Sequence, residues 1–253
     1  MENKPDLAAF ILAYNESLFI RAQLDHLYQY VSKIVVIEGA DQYMEQVTGS
    51  KRSTDGTIEL IQAYPDPENK IKLVFSDGDK NDRSHQGNRE LKDAEYILQV
   101  DCDEFYTWPH LYIALDQLIE RDADVACLRQ HYVWKWTDAI FQHAGRPPRL
   151  WRNRISEGKL IHHIPWGCYY PELKAAHMVI PKGDAGLHYL AISYDQIKRK
   201  LDYYNVRGDH TYEHTDLYLE KWLSTTRNMI DDGVSDPGMW NRVLCTNDVP
   251  SWI

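Results

Sequence analysis

Cysteine is scarce and scattered: Cys102, Cys127, Cys168 and Cys245 each lie at least 25 residues from the next. No pair has the spacing of a zinc knuckle or a redox motif, so reduced thiols and a cytoplasmic location are expected. Long apolar runs are missing too. The run Leu7–Tyr14 holds 8 residues, too few to cross a bilayer, and the acidic stretch before it has no basic region. Neither a transmembrane segment nor a signal peptide is expected. Positive charge is in deficit, with 28 Lys and Arg against 38 Asp and Glu for a net charge of −10. That balance makes a poor general binder of nucleic acid or anionic membrane. A phosphorylated ligand would need local cations or a metal. Phe is rare at 5, whereas Tyr at 17 and Trp at 8 favour aromatic rings that carry a polar edge.

What is present is ordinary globular material, 43% hydrophobic and 26% charged over 253 residues, enough to bury a large core. The first hundred residues alternate strand and helix patterns. Apolar runs at Leu7–Ala13, Ile34–Ile37, Ile71–Phe75 and Tyr96–Val100 read as buried strands. Between them, helical spacing occupies Glu16–Tyr30, the segment after the Ser53-Thr54-Asp55 cap, and Ser84–Ala94. The pattern predicts an α/β fold with a mostly parallel central sheet and helices on both faces. Right-handed crossovers put the strands' carboxyl ends on one edge. After residue 105 the pattern turns irregular: a helix over Pro109–Arg121, then short strand-like pieces at Val125–Trp136, Arg149–Arg152, Leu160–Ile164 and His177–Ile180. Ser193–Gln196 resembles a capping box opening a helix through Tyr204, and a last helix spans about Asp216–Ile230. The expected organisation is a catalytic domain over 1–192, split into halves 1–105 and 106–192, with a helical extension over 193–253 packed on it.

The strongest local signal is Asp101-Cys102-Asp103-Glu104 at the end of the fourth strand. Ligands of open parallel sheets bind outside the carboxyl ends of the strands. In extended geometry Asp101 and Asp103 point one way and Cys102 the other. Two convergent carboxylates make a hard-oxygen half-site for Mn²⁺ or Mg²⁺, which would supply the missing positive charge. The plainer explanation is a solvated acidic turn.

The order of motifs is more specific than any one of them. Phe10–Glu16 ends in Tyr-Asn-Glu, Ile34–Glu38 ends in an acid, and Ser53–Thr57 reads Ser-Thr-Asp-Gly-Thr. Gly87-Asn88-Arg89 precedes the acids, and Arg149–Asn153, Gly158, Ile161-His162 and Leu187-His188-Tyr189 follow. This series resembles a family 2-type glycosyltransferase of the GT-A fold, in the branch whose metal motif reads Asp-x-Asp-Glu. The resemblance implies a UDP-, GDP- or dTDP-sugar donor, a glycan or other hydroxyl acceptor, and Mn²⁺ or Mg²⁺. It further implies that Tyr14, Asn15, Glu16, Glu38 and Asp55 shape the nucleotide pocket and that Arg83 or Arg89 meets base or phosphate. By the same resemblance Asp101 contacts ribose or metal, Asp103 is the firmest metal ligand, and His188 is the third.

Two departures stand out. The segment Gly39–Arg52 is inserted where the pattern turns at once into Ser-Thr-Asp, bearing on the Glu38 role and adding a loop on the acceptor side. His162-His163 stands where the branch has His-Glu, so His163 or another acid must act as base. Each motif also has an ordinary structural explanation: Tyr14-Asn15-Glu16 as a strand exit, Ser53–Gly56 as a helix cap, Asn88 and Arg89 as surface decoration, His188 as a hydrogen-bonded core residue. Trp134, Trp136, Trp151 and Trp166 could pack a second layer, with one or two, Trp166 first, stacking on a sugar.

The implied reaction is one displacement that inverts the anomeric centre. A divalent cation steadies the diphosphate leaving group, and Glu157, His163 or Glu172 takes the acceptor proton. A sugar-nucleotide nucleotidyltransferase would want a Gly-rich basic loop after the first strand, and Ala13–Ser17 has no Gly, Lys or Arg. A metal-dependent phosphoesterase has no need of the Tyr-Asn-Glu exit. A catalytically inactive carbohydrate-binding protein would keep only the aromatics.

Overall fold

The computed structural model describes residues 5–135, 139–153, 178–181, 186–208, 215–224 and 243–245. In the first half, β1 (Leu7–Ala13), α1 (Ile20–Tyr28), β2 (Ile34–Glu38), α2 (Gln42–Thr48), α3 (Thr57–Gln62), β3 (Ile71–Phe75), α4 (Lys80–Glu90) and β4 (Tyr96–Asp101) follow in order. Then come β5 (Glu104–Phe105), α5 (Trp108–Glu120), β6 (Val125–Cys127), β7 (Gln130–Trp134), β8 (Ala139–Gly145) and β9 (Pro148–Arg152). The remaining described elements are β10 (Met178–Val179), β11 (Gly186–Ala191), α6 (Tyr194–Arg207), α7 (Thr215–Ser224) and β12 (Val243–Cys245).

The expected α/β architecture is present. A seven-stranded sheet runs in the order β10-β6-β9-β4-β1-β2-β3. β1 pairs in parallel with both β2 and β4, and β2 with β3, while β9 enters antiparallel between β4 and β6. β1 is buried at every position because both faces are covered, and its period-two alternation divides the core. Leu7, Ala9, Ile11 and Ala13 face Leu24, Leu27, Ile61, Leu111 and Leu115 of the helices on one side. Ala8, Phe10 and Leu12 face Leu91, Ile97 and Trp151 on the other. Gly87 has a packing reason: a Cβ there would sit 2.7 Å from the Phe10 ring, so its absence lets α4 lie directly on β1.

Four differences from the sequence reading have physical causes. The irregular stretch that follows the acidic turn builds most of a second sheet, β12-β8-β7-β11-β5, in which β5 and β11 and β8 and β12 pair across long gaps in sequence. The expected helical extension contributes β12 to that sheet. α4 begins at Lys80, four residues before the expected start at Ser84. The insertion forms a helix rather than a loop alone: the Asp41 side chain caps α2 by accepting from Tyr43 N and Met44 N, and Gly49 closes it at φ 73°. Of the expected strand Leu160–Ile164 and the end of the helix Asp216–Ile230, the parts at 160–164 and 225–230 lie outside the described residues.

Candidate active site

Parallel pairing of β1, β2, β3 and β4 brings Ala13, Glu38, Phe75 and Asp101 to one edge of the central sheet. Two groups of polar residues meet there.

The first group is the exit of β1 with the Ser53–Thr57 turn. Asn15 takes a left-handed conformation, φ 52°, which Asn tolerates better than most residues. The amides that follow are all claimed by the turn: Asn15 N donates to Ser53 Oγ (2.8 Å), Glu16 N to Thr57 Oγ1 (2.7 Å) and Ser17 N to Asp55 Oδ2 (2.9 Å). In return Thr54 N donates to Asn15 Oδ1 at 2.8 Å, and Ser53 N donates to Glu38 Oε1 at 2.7 Å. Glu38 is fully buried. Asp55 accepts from Thr57 N and Thr57 Oγ1 as well, so its carboxyl sits below the usual range although burial pulls it upward. The cap of α3 is Gly56 at φ 94°, with Asp55 one residue earlier carrying the side-chain bonds. The Tyr14 hydroxyl donates to Ser50 O at 2.8 Å and lies 2.5 Å from Thr48 Oγ1, tying the insertion to the mouth of β1.

The second group is the acidic turn. β4 ends at Asp101 and β5 begins at Glu104, so Cys102 and Asp103 form a turn rather than extended chain. The two aspartates therefore do not share the simple alternation expected for a strand, and each finds different partners. Asp101 Oδ2 lies 3.1 Å from Lys80 Nζ and 3.5 Å from an Arg149 nitrogen. Glu104, 1% exposed, takes two hydrogen bonds from Arg149, at 2.7 and 2.6 Å. Asp103, 4% exposed, places Oδ2 2.6 Å from Lys200 Nζ and Oδ1 3.4 Å from His188 Nε2. His188 is delivered by the antiparallel pairing of β11 with β5, where it stands opposite Glu104. A Cβ on Gly186 would lie 2.4 Å from the Tyr106 ring, so glycine lets β11 approach this closely.

Charge is balanced within this cluster: Asp101, Asp103 and Glu104 face Lys80, Arg149 and Lys200. Burial alone would raise the Asp103 carboxyl, but Lys200 and His188 outweigh it and hold it far below the usual range. Lys200 is the mirror case, with burial lowering it and Asp103 more than restoring it. Glu16 goes the other way. Burial first, then the Asp103 charge, push its carboxyl up to about 8, and Arg199 stands 3.9 Å from it. The Cys102 thiol, buried beneath the turn, is pushed well up by burial and surrounding acids.

α6 lies across the edge and joins the two groups. The Ser193 hydroxyl accepts from Gln196 N, as expected of a capping box, while the Gln196 side chain accepts from Ile192 N rather than from the cap residue itself. Gln196 donates to Tyr189 O, Lys200 reaches Asp103, Arg199 faces Glu16, and the Tyr203 hydroxyl donates to Asp41 at the start of α2. Lys80, Arg199 and Lys200 were absent from the sequence reading. A signal existed for Lys200: Gln196, Lys200, Tyr203 and Arg207 recur at helical spacing beside the buried Ile197 and Leu201.

Tyr14, Asn15, Glu16, Glu38 and Asp55 are thus gathered at the strand mouths, as are Asp101, Asp103 and His188. Arg83 is buried, its guanidinium donating to Gly39 O. Arg89 is exposed in the last turn of α4, roughly 13 Å along the helix from Lys80 at 1.5 Å per residue. Trp151 is core, 2% exposed. Glu157, His162, His163, Trp166, Glu172 and Trp136 lie outside the described residues, as does the side chain of Trp134.

A carboxylate oxygen and an imidazole nitrogen 3.4 Å apart can serve as neighbouring ligands of one divalent ion. The nitrogen that faces Asp103 is Nε2; Nδ1, the other ring nitrogen, lies 3.9 Å from Glu104 Oε1 and is buried with no hydrogen-bond partner among the described residues. Asp103 Oδ1 and His188 Nε2, by their spacing and chemistry, fit a two-donor half-site. Asp101 is turned to cations, and the described residues hold no cluster of three metal-ligating side chains.

No protein-family model and no curated protein matches the chain. Among solved structures it is similar to S. aureus TarS, at 15% identity and TM-score 0.47 over 92% of this chain, spanning 46% of that one. TarS 1–349 in complex with UDP gives 17% identity and TM-score 0.48, covering 91% of this chain and 75% of that one. Glucosyl-3-phosphoglycerate synthase from Mycobacterium tuberculosis, with Mn²⁺, UDP and glucosyl-3-phosphoglycerate, gives 13% identity and TM-score 0.37 over 53% of this chain and 46% of that one.

Proposed function

We propose that the chain is a metal-dependent glycosyltransferase that moves a sugar from a nucleoside-diphosphate sugar to an acceptor hydroxyl with inversion. One observation carries this reading: the acidic turn meets His188 from the far half of the chain at the edge where four parallel strands end. Asp103 and His188 are the residues that would hold the cation, and the imidazole favours Mn²⁺ over Mg²⁺. When bound, the ion supplies Lewis-acid stabilisation of the charge that grows on the leaving diphosphate.

The chain's own groups do the rest. One edge of the Arg149 guanidinium grips both oxygens of Glu104 and faces Asp101, which fixes the turn that presents Asp103. Lys80, Arg199 and Lys200 bring the local cations that a diphosphate requires in a chain of net charge −10. Tyr14 and the Asn15–Ser17 loop, locked by the Ser53–Thr57 turn, form a rigid wall for the nucleotide. Glu157, His163 or Glu172 takes the acceptor proton as its oxygen attacks the face opposite the leaving group.

The nucleotidyltransferase reading is weaker. Such a site cradles phosphate oxygens with free amides in the loop after the first strand, and here the Asn15, Glu16 and Ser17 amides are spent on side chains. Thermal shift with UDP-, GDP- and dTDP-sugars, each with and without Mn²⁺, tests the proposal. A rise in Tm for one nucleotide class that needs Mn²⁺ is expected. No shift with any donor, or shifts from free glycans alone, contradicts it.

A further inference from the structure

The Lys200 ammonium lies 2.6 Å from Asp103 Oδ2, on the same carboxylate whose other oxygen faces His188 Nε2 at 3.4 Å. Asp103 is 4% exposed, so no water layer separates the two. A divalent ion held by Asp103 and His188 would stand within a few ångströms of this ammonium, where like charges in a partly buried site repel strongly. The contacts around Lys200 allow it to leave. It sits on α6 beside Arg199, with the Glu16 carboxyl also near enough to interact with its charge, and its side chain is 22% exposed.

Resting on the glycosyltransferase reading, we propose that Lys200 is a built-in competitor for the divalent cation at Asp103, a counter-ion that must withdraw before the metal loads. The balance of charges explains why such a device is useful. Among the described residues Asp103 would otherwise be a buried charge with only His188 as an ion-pair partner, and leaving one partner of a buried ion pair bare is costly. Lys200 keeps the empty site neutral. Once displaced, its ammonium remains at the sheet edge, where a diphosphate would accept it. The metal alone therefore meets resistance that the metal with a diphosphate does not.

Binding of Mn²⁺ alone, followed by the electron paramagnetic resonance signal of the free ion, tests this on the 253-residue chain with wild type, Lys200→Met and Lys200→Arg. Lys200→Met is expected to bind Mn²⁺ about tenfold tighter or more than wild type, because it removes the repulsion without adding a ligand. Lys200→Arg keeps the charge and is expected to stay within about threefold of wild type. Equal or weaker binding by Lys200→Met, or no binding by any of the three, overturns the proposal. If Lys200→Met does not fold, the Lys200→Gln variant is titrated in its place, with circular dichroism reporting the fold. The sugar-nucleotide thermal shift of wild type keeps the two readings apart. A Mn²⁺-dependent shift with unchanged Lys200→Met affinity sinks the competitor alone, whereas no shift with any donor sinks the glycosyltransferase.

Discussion

The two polar groups at the sheet edge contain similar residues and differ in what holds them most closely, although Glu16 and Glu38 of the first also face Arg199 and Arg52 at 3.9 Å. Around β1, carboxylates and hydroxyls are tied to backbone amides: Glu38 to Ser53 N, Asp55 to Ser17 N and Thr57 N. In the acidic turn, carboxylates are tied to long cationic side chains, Lys80, Arg149 and Lys200. An amide is fixed by the fold and cannot leave without unfolding the loop. An ammonium can rotate away when a better cation or anion arrives. On the proposed reading the first group is scaffold and the second is exchangeable, so a ligand would be traded in at Asp103 and not at Glu38.

The largest expected effect sharpens that contrast. Asp103→Asn removes the exchangeable charge; sugar transfer, measured as nucleoside diphosphate released from the donor that stabilises the protein, is expected to fall about a thousandfold. Its circular dichroism spectrum is expected to match wild type. Retained turnover without a metal requirement contradicts the scheme. Arg149→Met is next, because it strands the buried Glu104 charge, and a loss of roughly 3–5 kcal/mol by urea denaturation is expected. The double variant Arg149→Met with Glu104→Met should regain most of that loss, since no charge is then left unpaired. If the double variant is as unstable as the single one, the clamp matters through shape rather than charge.

The motif order made the strand mouths readable in sequence: Tyr14–Glu16, Glu38, Ser53–Thr57 and Asp101–Glu104 all lie on one edge. Apolar runs at β1, β2 and β4 were legible because strands buried on both faces read as nearly continuous apolar stretches. β3, at the sheet edge, is only partly buried and was legible from its β-branched and aromatic run. The second sheet was not, since β5 is two residues and β12 three, and β5 finds its partner β11 about 80 positions away. The site's cations were missed for a related reason. Lys80 and Lys200 are ordinary surface residues in composition, and only the crossing of α6 over the edge brings Lys200, 97 positions away in sequence, to Asp103. Nor could the sequence tell that the turn at Cys102 sends the two aspartates to different partners.

Smaller effects separate the groups further. Glu16 binds its proton more tightly in the folded chain than an ordinary Glu of pKa about 4.3 does. Its carboxyl is pushed up to about 8, so the folded state holds more protons than the unfolded one between those values. Stability contributed there is present at low pH and is lost as pH rises, by at most about 1.4 kcal/mol per pH unit. Glu16→Gln removes the titration, so its stability relative to wild type should climb steadily from pH 5 to pH 8 in urea melts. Parallel pH profiles for the two proteins rule this out. Glu38→Gln is the mildest: it keeps an acceptor for Ser53 N but buries an extra donor, for an expected loss of about 1–2 kcal/mol. Its Mn²⁺ affinity should equal that of wild type, and a large drop would move Glu38 out of the scaffold.

Anomalous scattering at the manganese edge, from crystals grown with Mn²⁺ and the stabilising nucleotide, bears most directly on the exchangeable site. The expected peak lies between Asp103 and His188, with the Lys200 ammonium withdrawn from Asp103. A peak elsewhere, or nucleotide bound with Lys200 still paired to Asp103 and no ion beside it, would contradict the scheme.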